Sequence, residues 1–426
     1  MLITAVKKRT FFTYLSISGI IDFTCLKTLF HNFTASTTTT TEKELKYYIF
    51  IPHKELLTFM KLTCSKDLLL NSIYVVSKAV SSRTTLPILE CILLTCDERG
   101  LTLTANDLEI GIETAPIEAD IEREGKVALE ARLFSEIIKR VNGADVTIDT
   151  DKENITIISS GSSEFKIMGR DGTDFPAMPK IERKDKQTIL QKELRNMIRE
   201  TIFSVAQDDS KPVLTGELIE INGGIASIVS VDGYRISYKK TALVSSSGEE
   251  EAIIPAKTLN EISKILSAED EDETDFYFTD KHALFDINGN VVVTRLIDGD
   301  YIKYDQSFTD EYKTRIDCDR NELISALERA SLLSRETRKT PVILDITEDI
   351  TSITSTTDIG TAHEEVETEF TGENLRIAFN PRYLIEALRA ITDDKVSLRF
   401  TTHLSPCIIK AVEGGDYKYL ILPLRM

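Results

Sequence analysis

Phe134, Ile137, Ile138 and Val141 stand at i, i+3, i+4 and i+7, with Arg132, Glu136, Lys139 and Arg140 on the opposite side. That spacing predicts an amphipathic helix whose apolar stripe packs on a sheet. The pattern then returns 125 residues later. Ala131, Arg132, Phe134, Glu136, Lys139 and Val141 become Ala256, Lys257, Leu259, Glu261, Lys264 and Leu266. At +250 they become Pro381, Arg382, Leu384, Glu386, Arg389 and Ile391. Basic, acidic and apolar character is kept at five of the six positions, and the first is small or proline throughout. A solenoid unit spans roughly 20–50 residues. This period is the size of a whole domain.

Each copy opens on a short strand and a second helix, at Lys66-Asp67-Leu68, Lys192-Glu193-Leu194 and Asn321-Glu322-Leu323. In the second copy Leu194, Met197, Ile198, Ile202 and Val205 supply the helical spacing. Hairpin-like stretches follow from Pro87 to Asp107, from Pro212 to Asp232 and, shortened, from Pro341 to Asp358. Leu101-Thr-Leu-Thr and Ile353-Thr-Ser-Thr read as alternating strands, and 154–158, 283–287 and 395–400 as further ones. The fold class is therefore α+β, with two helices backed by two sheets in each of three tandem domains. Their bounds read as 60–182, 183–311 and 312–426.

Residues 1–59 do not join the repeat and read as a leader, disordered or from a misassigned start, with Met60 as the natural beginning. The apolar stretch 11–30 carries Asp22 and Lys27, which argues against a membrane span. Lys7-Lys8-Arg9 resembles a signal peptide without a clean cleavage site. Thr37 to Thr41 is a low-complexity joint.

The chain has 426 residues, 42% hydrophobic and 28% charged, with a formal net charge of −18. Such a balance opposes binding nucleic acid by bulk charge alone and makes local basic patches the place to look. The six cysteines form no Cys-x-x-Cys pair and the five histidines no ligand-spaced pair. This predicts a reduced, intracellular protein without zinc or other cofactor. Glu269-Asp-Glu-Asp-Glu lacks the glycine and alternation of a calcium loop and reads as solvated. No phosphate loop, nucleophile elbow or Ser/His/Asp set is present.

The helix pattern offers the one repeated constellation. Arg132, Lys257 and Arg382, with Lys139, Lys264 and Arg389 seven residues on, put two positive charges on one face of each copy. A single such face reads as solvated. Three in an arc would meet a polyanion's phosphates without reading sequence, softened by Glu136, Glu261 and Glu386.

Several motifs spread along the chain carry a family resemblance. They are Met60-Lys61-Leu62-Thr63-Cys64, RTTLPIL (Arg83 to Leu89), LTLTANDLE (Leu101 to Glu109), Asp174-Phe175-Pro176, VDGYRIS (Val231 to Ser237) and LILPLRM (Leu420 to Met426). Over residues 60–426 the chain resembles the bacterial DNA polymerase III beta subunits, the sliding clamps. The resemblance implies three DNA-clamp domains that close into a ring as a head-to-tail homodimer around duplex DNA, with helices lining the hole. It implies a non-catalytic processivity factor of DNA replication, cytoplasmic and nucleoid-associated, without a membrane. Its partners would be the DNA polymerase III alpha subunit, the clamp-loader complex and other clamp-binding-motif proteins.

By resemblance, Arg83 matches a DNA-contacting arginine on a first-domain loop and Arg132 and Lys139 match positions that line the hole, alongside the repeat-derived Lys257, Lys264, Arg382 and Arg389. The second-domain loop 207–212 departs from the family's polar and aromatic set and leaves Lys211 as its contact. The partner-peptide pocket maps to Val231, Gly233, Tyr234, Arg235 and Ile236, with Leu420, Ile421, Leu422, Pro423, Leu424 and Arg425. An apolar groove bordered by two arginines suits aliphatic or aromatic anchors. Ile302 and Thr309 stand where the family has prolines at the rim. Without the family, 420–424 reads as a buried final strand. For the dimer seam, Phe165 and Ile167 would meet Leu332 and Leu333 of a second copy, and Glu364, Glu365 and Glu367 would face Lys166 or Lys152. Leu332 and Leu333 read equally well as helix core. The competing function is a three-domain interaction scaffold that never encircles DNA. A carboxylate-dependent hydrolase is disfavoured, because the acids are scattered over loops.

Overall fold

The computed structural model describes residues 60–81, 84–208, 210–334 and 340–425. The leader 1–59 and Arg83 lie outside the described residues. The chain divides into two compact units. Of the described residues, one unit holds 60–70 with Leu93–Leu101 and Pro116–Phe175, and the other holds those within 71–92, Thr102–Ala115 and 176–425.

Among the described residues six α-helices follow the repeat: α1 Lys66–Val76, α2 Ala131–Arg140, α3 Gln191–Thr201, α4 Ala256–Ile265, α5 Arg320–Ala330 and α6 Pro381–Ala390. The first residues of α2, α4 and α6 are 125 apart, as the stripe predicts. In α2 the Glu130 carboxylate caps the amides of Arg132 and Leu133, and Phe134, Ile137 and Ile138 are buried. Burying each such side chain is worth roughly 1.5–3 kcal/mol, against which a cap adds about 1. Packing, not capping, decides that this helix forms.

In the first unit a five-stranded antiparallel sheet runs in the order Ala119–Arg123, Met60–Ser65, Asp145–Thr150, Ile155–Ser160, Ser163–Met168. Met60, Leu62 and Cys64 point inward while Lys61, Thr63 and Ser65 are half-buried, the period-2 signature of a one-sided sheet. The strand Gly100–Asn106 breaks the expected alternation, for every residue in it is buried, Thr102 and Thr104 included. Both of its faces are covered.

In the second unit, Glu250–Pro255, Gly216–Asn222, Ile225–Val231 and Arg235–Ala242 come from the second copy. They continue into Tyr417–Ile421, Cys407–Ala411, Lys395–Phe400, Thr314–Asp319 and Glu369–Gly372 of the third, making one nine-stranded sheet. The seam is the antiparallel pair in which Ser237 faces Tyr419. The helices are backed by sheets as expected, and this sheet runs on from one copy into the next. Strand pairing across copies satisfies backbone groups that separate sheets would leave at open edges. Gly360–Glu367, Ile350–Thr357, Val342–Ile346 and Leu375–Phe379 form a further four-stranded sheet. Beneath the third copy's strands lies a core that includes Leu323, Leu327, Phe379, Leu384, Phe400 and Tyr419.

The two smaller sheets repeat the two halves of the nine-stranded one. The four-stranded sheet matches the second copy's four strands one period later, Gly360 taking the place of Arg235. The five-stranded sheet matches, in order, the five strands that the third copy contributes.

Candidate functional site

The helix-face cations are solvent-exposed and mostly held in surface ion pairs. Lys139 lies 3.5 Å and Arg140 3.1 Å from the Glu136 carboxylate. Those partners, Arg140 foremost, hold its pKa below the ordinary range. Lys264 pairs with Glu261 at 2.6 Å, Arg382 with Glu386 at 2.6 Å and Arg389 with Glu328 at 2.5 Å. Lys257 instead reaches Asp107 at 2.9 Å. Arg132 and Lys211 are exposed as well. Exposed pairs of this kind are weak, so a polyanion can draw the cations away at little cost.

The pocket residues gather where the second and third copies join, but in two groups. Val231, Ile236 and Leu420 are buried in one cluster with Leu214, Leu218, Ile408 and Tyr304. Ile421 is buried beside them at the end of the last strand. The rim is formed by Gly233, by Tyr234, which is 58% exposed, and by Leu422. Pro423 and Leu424 are half-buried and Arg425 is exposed. The buried-final-strand reading therefore holds for Leu420 and Ile421 alone.

Local chemistry fixes the turn at this rim. The Asp232 carboxylate accepts from the amides of Tyr234 at 2.9 Å and Arg235 at 3.1 Å. Gly233 has φ of 90°, a conformation open to glycine at no steric cost. The Tyr234 carbonyl accepts from the Leu422 amide at 2.9 Å, and the Ala378 carbonyl from the Leu424 amide at 2.8 Å. The C-terminal segment is thereby strapped to the turn. Ile302 is exposed, and Thr309 uses its hydroxyl to accept from the Glu311 amide at 3.1 Å.

Arg235 departs from the expected rim position. It is 6% exposed, and its guanidinium donates to Asp232 at 2.9 Å, to Glu386 at 2.5 Å and to the Phe203 carbonyl at 2.5 Å. The Tyr383 ring lies 4.6 Å from it and the Phe203 ring 5.3 Å. Of the two arginines expected to border a groove, this one is an internal clip. Tyr234 stacks on Tyr383 at 6.0 Å. The sequence singles out neither Phe203 nor Tyr383 for this corner, and it marks Glu386 only as an acid on the repeated helix face.

Beneath the same corner Glu217 is fully buried. Its Oε1 accepts from the Thr201 and Ser230 hydroxyls, while its Oε2 has no hydrogen-bond partner. Burial outweighs those two donors and pushes its pKa up to about 7.

The expected seam residues lie at open sheet edges. Ser163–Met168 closes the five-stranded sheet and exposes Phe165 and Met168, with Ile167 half-buried. Gly360–Glu367 closes the four-stranded sheet. The Ser331–Ser334 turn packs on that strand, with Leu332 54% exposed and Leu333 half-buried. Glu364 pairs with Arg329 at 2.6 Å and Glu365 with His363 at 3.2 Å.

Among the described residues no group of three or more His, Cys, Asp or Glu side chains is placed to hold a metal ion. No described helix is long and apolar enough to cross a membrane. Family models for the DNA polymerase III beta subunit match in chain order: the N-terminal domain over residues 60–179, the central domain over 188–303 and the C-terminal domain over 306–425. The Beta sliding clamp of Staphylococcus epidermidis is 35% identical over 375 residues, covering 86% of this chain and 99% of the relative. A putative DNA polymerase III beta subunit from Eubacterium rectale superposes with a TM-score of 0.83 at 40% identity, covering 86% of this chain and all of that one. The DNA polymerase sliding clamp from Bacillus subtilis does so with a TM-score of 0.83 at 34% identity, covering 86% and 99%.

Proposed function

This chain belongs to the DNA polymerase III beta subunit family and is a DNA sliding clamp, and from that premise we propose that two copies close head to tail around duplex DNA. The ring tethers the replicative polymerase by topology and performs no chemistry of its own. The observation that carries the reading is the sheet count. Five strands end at Ser163–Met168 and four at Gly360–Glu367, and joined they make nine, the number that seals the second copy to the third. Closing the ring repeats a joint the chain already contains and removes both open edges.

The internal joint also supplies the register of the proposed seam. Ile148 faces Ile158, which faces Phe165. One repeat pair later, Leu398 faces Ile409, which faces Tyr419. Phe165 is thus the counterpart of Tyr419, whose partner Ser237 has Ala362 as its own counterpart. Phe165 of one copy then lies opposite the partner's Ala362, with Ile167, Leu332 and Leu333 packed along the seam.

A ring needs no tight grip on DNA. Lys139, Lys257, Lys264, Arg382 and Arg389, exposed and loosely paired, together with the exposed Arg132 and Lys211, would follow phosphates without holding one register. Tethering raises the polymerase's effective concentration at the template. The corner around Tyr234, Leu422 and Leu424 receives short peptides with apolar anchors. These would come from the DNA polymerase III alpha subunit, from the clamp loader and from other clamp-binding proteins in the cytoplasm. A scaffold that never meets DNA is not favoured, since the relatives along the whole repeat are sliding clamps. Native mass measurement with negative-stain imaging tests the ring: a closed two-copy particle is expected, and a monomer or an open arc at micromolar concentration overturns it.

A further inference from the structure

The two arginines that sit on either side of Glu386 belong to different surfaces. Arg382 is 73% exposed on the polar face of α6, where its Nε lies 2.6 Å from Glu386 Oε1. Arg235 is buried behind the peptide-docking corner, where its Nη1 lies 2.5 Å from Glu386 Oε2. One carboxylate, itself about a quarter exposed, serves both. We propose that Glu386 is a positioning residue that couples phosphate contact at Arg382 to the shape of the peptide-docking corner through Arg235. This rests on the sliding-clamp reading and deepens it, for it assigns regulation to the same corner.

The repeat supplies an internal control. One period earlier, Asp232, Arg235, Arg382 and Glu386 correspond to Asp107, Ile110, Lys257 and Glu261. There Glu261 pairs with Lys264 of its own helix, and Lys257 goes to Asp107. Ile110 offers no cation, and a cavity of about 430 Å³ opens beside Lys78, Asp107, Lys257 and Glu261. Phe203 and Tyr383, which flank the Arg235 guanidinium, are replaced by Lys78 and Thr258. A carboxylate that links an exposed arginine to a buried one is thus a property of the later joint, where the peptide corner lies.

The direction of coupling follows from sharing. While Arg382 donates to Glu386, the carboxylate's charge is divided between two cations. When a phosphate draws Arg382 away, Glu386 serves Arg235 alone. Arg235 is bonded to Asp232 and the Phe203 carbonyl, so a firmer hold on it stiffens the turn that carries Tyr234 and straps Leu422. A corner held in its binding shape costs less to order on docking. Peptide binding therefore tightens when duplex DNA is present, and by linkage peptide tightens DNA binding by the same factor.

The test measures the dissociation constant of a fluorescein-labelled peptide with leucine and phenylalanine anchors. It is titrated by anisotropy into the full chain with and without a saturating short duplex. In the wild type the duplex should tighten peptide binding on the order of 5-fold. R382Q should bind peptide at the tightened affinity without duplex and show no further response. E386Q should bind more weakly in both conditions and also lose the response. If E386Q weakens peptide binding yet keeps the wild-type ratio, Glu386 is merely structural and the coupling is wrong. A wild type that binds both ligands with no change in ratio overturns the coupling and leaves the clamp reading intact. A wild type that binds neither removes both. R382Q alters an exposed side chain, so its result stands even if E386Q folds poorly.

Discussion

Thr201 Oγ1 lies 2.7 Å from Glu217 Oε1 and 2.8 Å from the Met197 carbonyl, so its single hydrogen cannot serve both. A protonated Glu217 would resolve the conflict by reversing the Thr201–Glu217 bond, so that the carboxyl donates to Thr201 and Thr201 gives its hydrogen to the Met197 carbonyl alone. Burial of the carboxyl in an apolar corner favours the same neutral form.

This predicts a pH dependence whose sign follows from linkage. The folded state keeps a proton on Glu217 up to about pH 7, whereas the reference carboxyl releases it near 4.5. Stability is therefore lost as pH rises from 4.5 through 7 and stays lower above that. The gap corresponds to a penalty on the order of 3 kcal/mol at pH 8. E217Q removes the titration, so its urea midpoint relative to the wild type should rise between pH 5 and pH 8. Parallel midpoints for the two proteins across that range would refute a neutral buried Glu217.

The proposed seam can be trapped covalently. Directly opposed residues of an antiparallel pair have Cα atoms about 4.5–5.5 Å apart, within the span of a disulfide. F165C combined with A362C should therefore give a two-copy band on a non-reducing gel, while either change alone gives none. The five cysteines of the described residues are all buried and should not compete. A double variant that stays uncrosslinked as a native dimer would show that the internal joint is the wrong template for the seam.

The helices were legible in the sequence because each carries its own evidence. Phe134, Ile137 and Ile138 state a period and a buried face within a few residues, and the repeat states it again at Leu259 and Leu384. The sharing of sheets between copies was not legible. Nothing in VDGYRIS says that Ser237 will face Tyr419, since edge and central strands of similar composition differ only in what lies beside them. The burial of Arg235 is hidden in the sequence for the same reason. Its residue type suits a groove rim, and its burial is decided by Glu386, 151 residues away. The resemblance names the residues of this corner, and only the packing shows which of them face outward.

Leu333 on the Ser331–Ser334 turn is half-buried beside the outer strand Gly360–Glu367, and its neighbour Leu332 is 54% exposed. Leucines left this open in a single copy suit an apolar contact across the seam. L333A should raise the dimer dissociation constant by about tenfold, equal to roughly 1.4 kcal/mol. An unchanged native mass on dilution would place Leu333 in the fold of one copy and out of the seam.

The helix-face cations make a prediction that separates encirclement from specific grip. Each phosphate contact contributes a slope of about −0.9 to the dependence of log affinity on log salt. Arg132, Lys257 and Arg382 occupy equivalent positions on α2, α4 and α6. If all three meet phosphates in both copies of the ring, the triple change R132Q, K257Q and R382Q removes six contacts and should flatten that slope by up to about 5.4. The duplex sequence should make no difference, because these side chains read charge and not base edges. The measurement is duplex binding across a salt series with two unrelated sequences. Loss of affinity at an unchanged slope would mean that the three positions support the fold and do not meet the phosphates. A slope that flattens for one duplex and not the other would mean that the surface reads sequence, which a sliding ring cannot do and still slide.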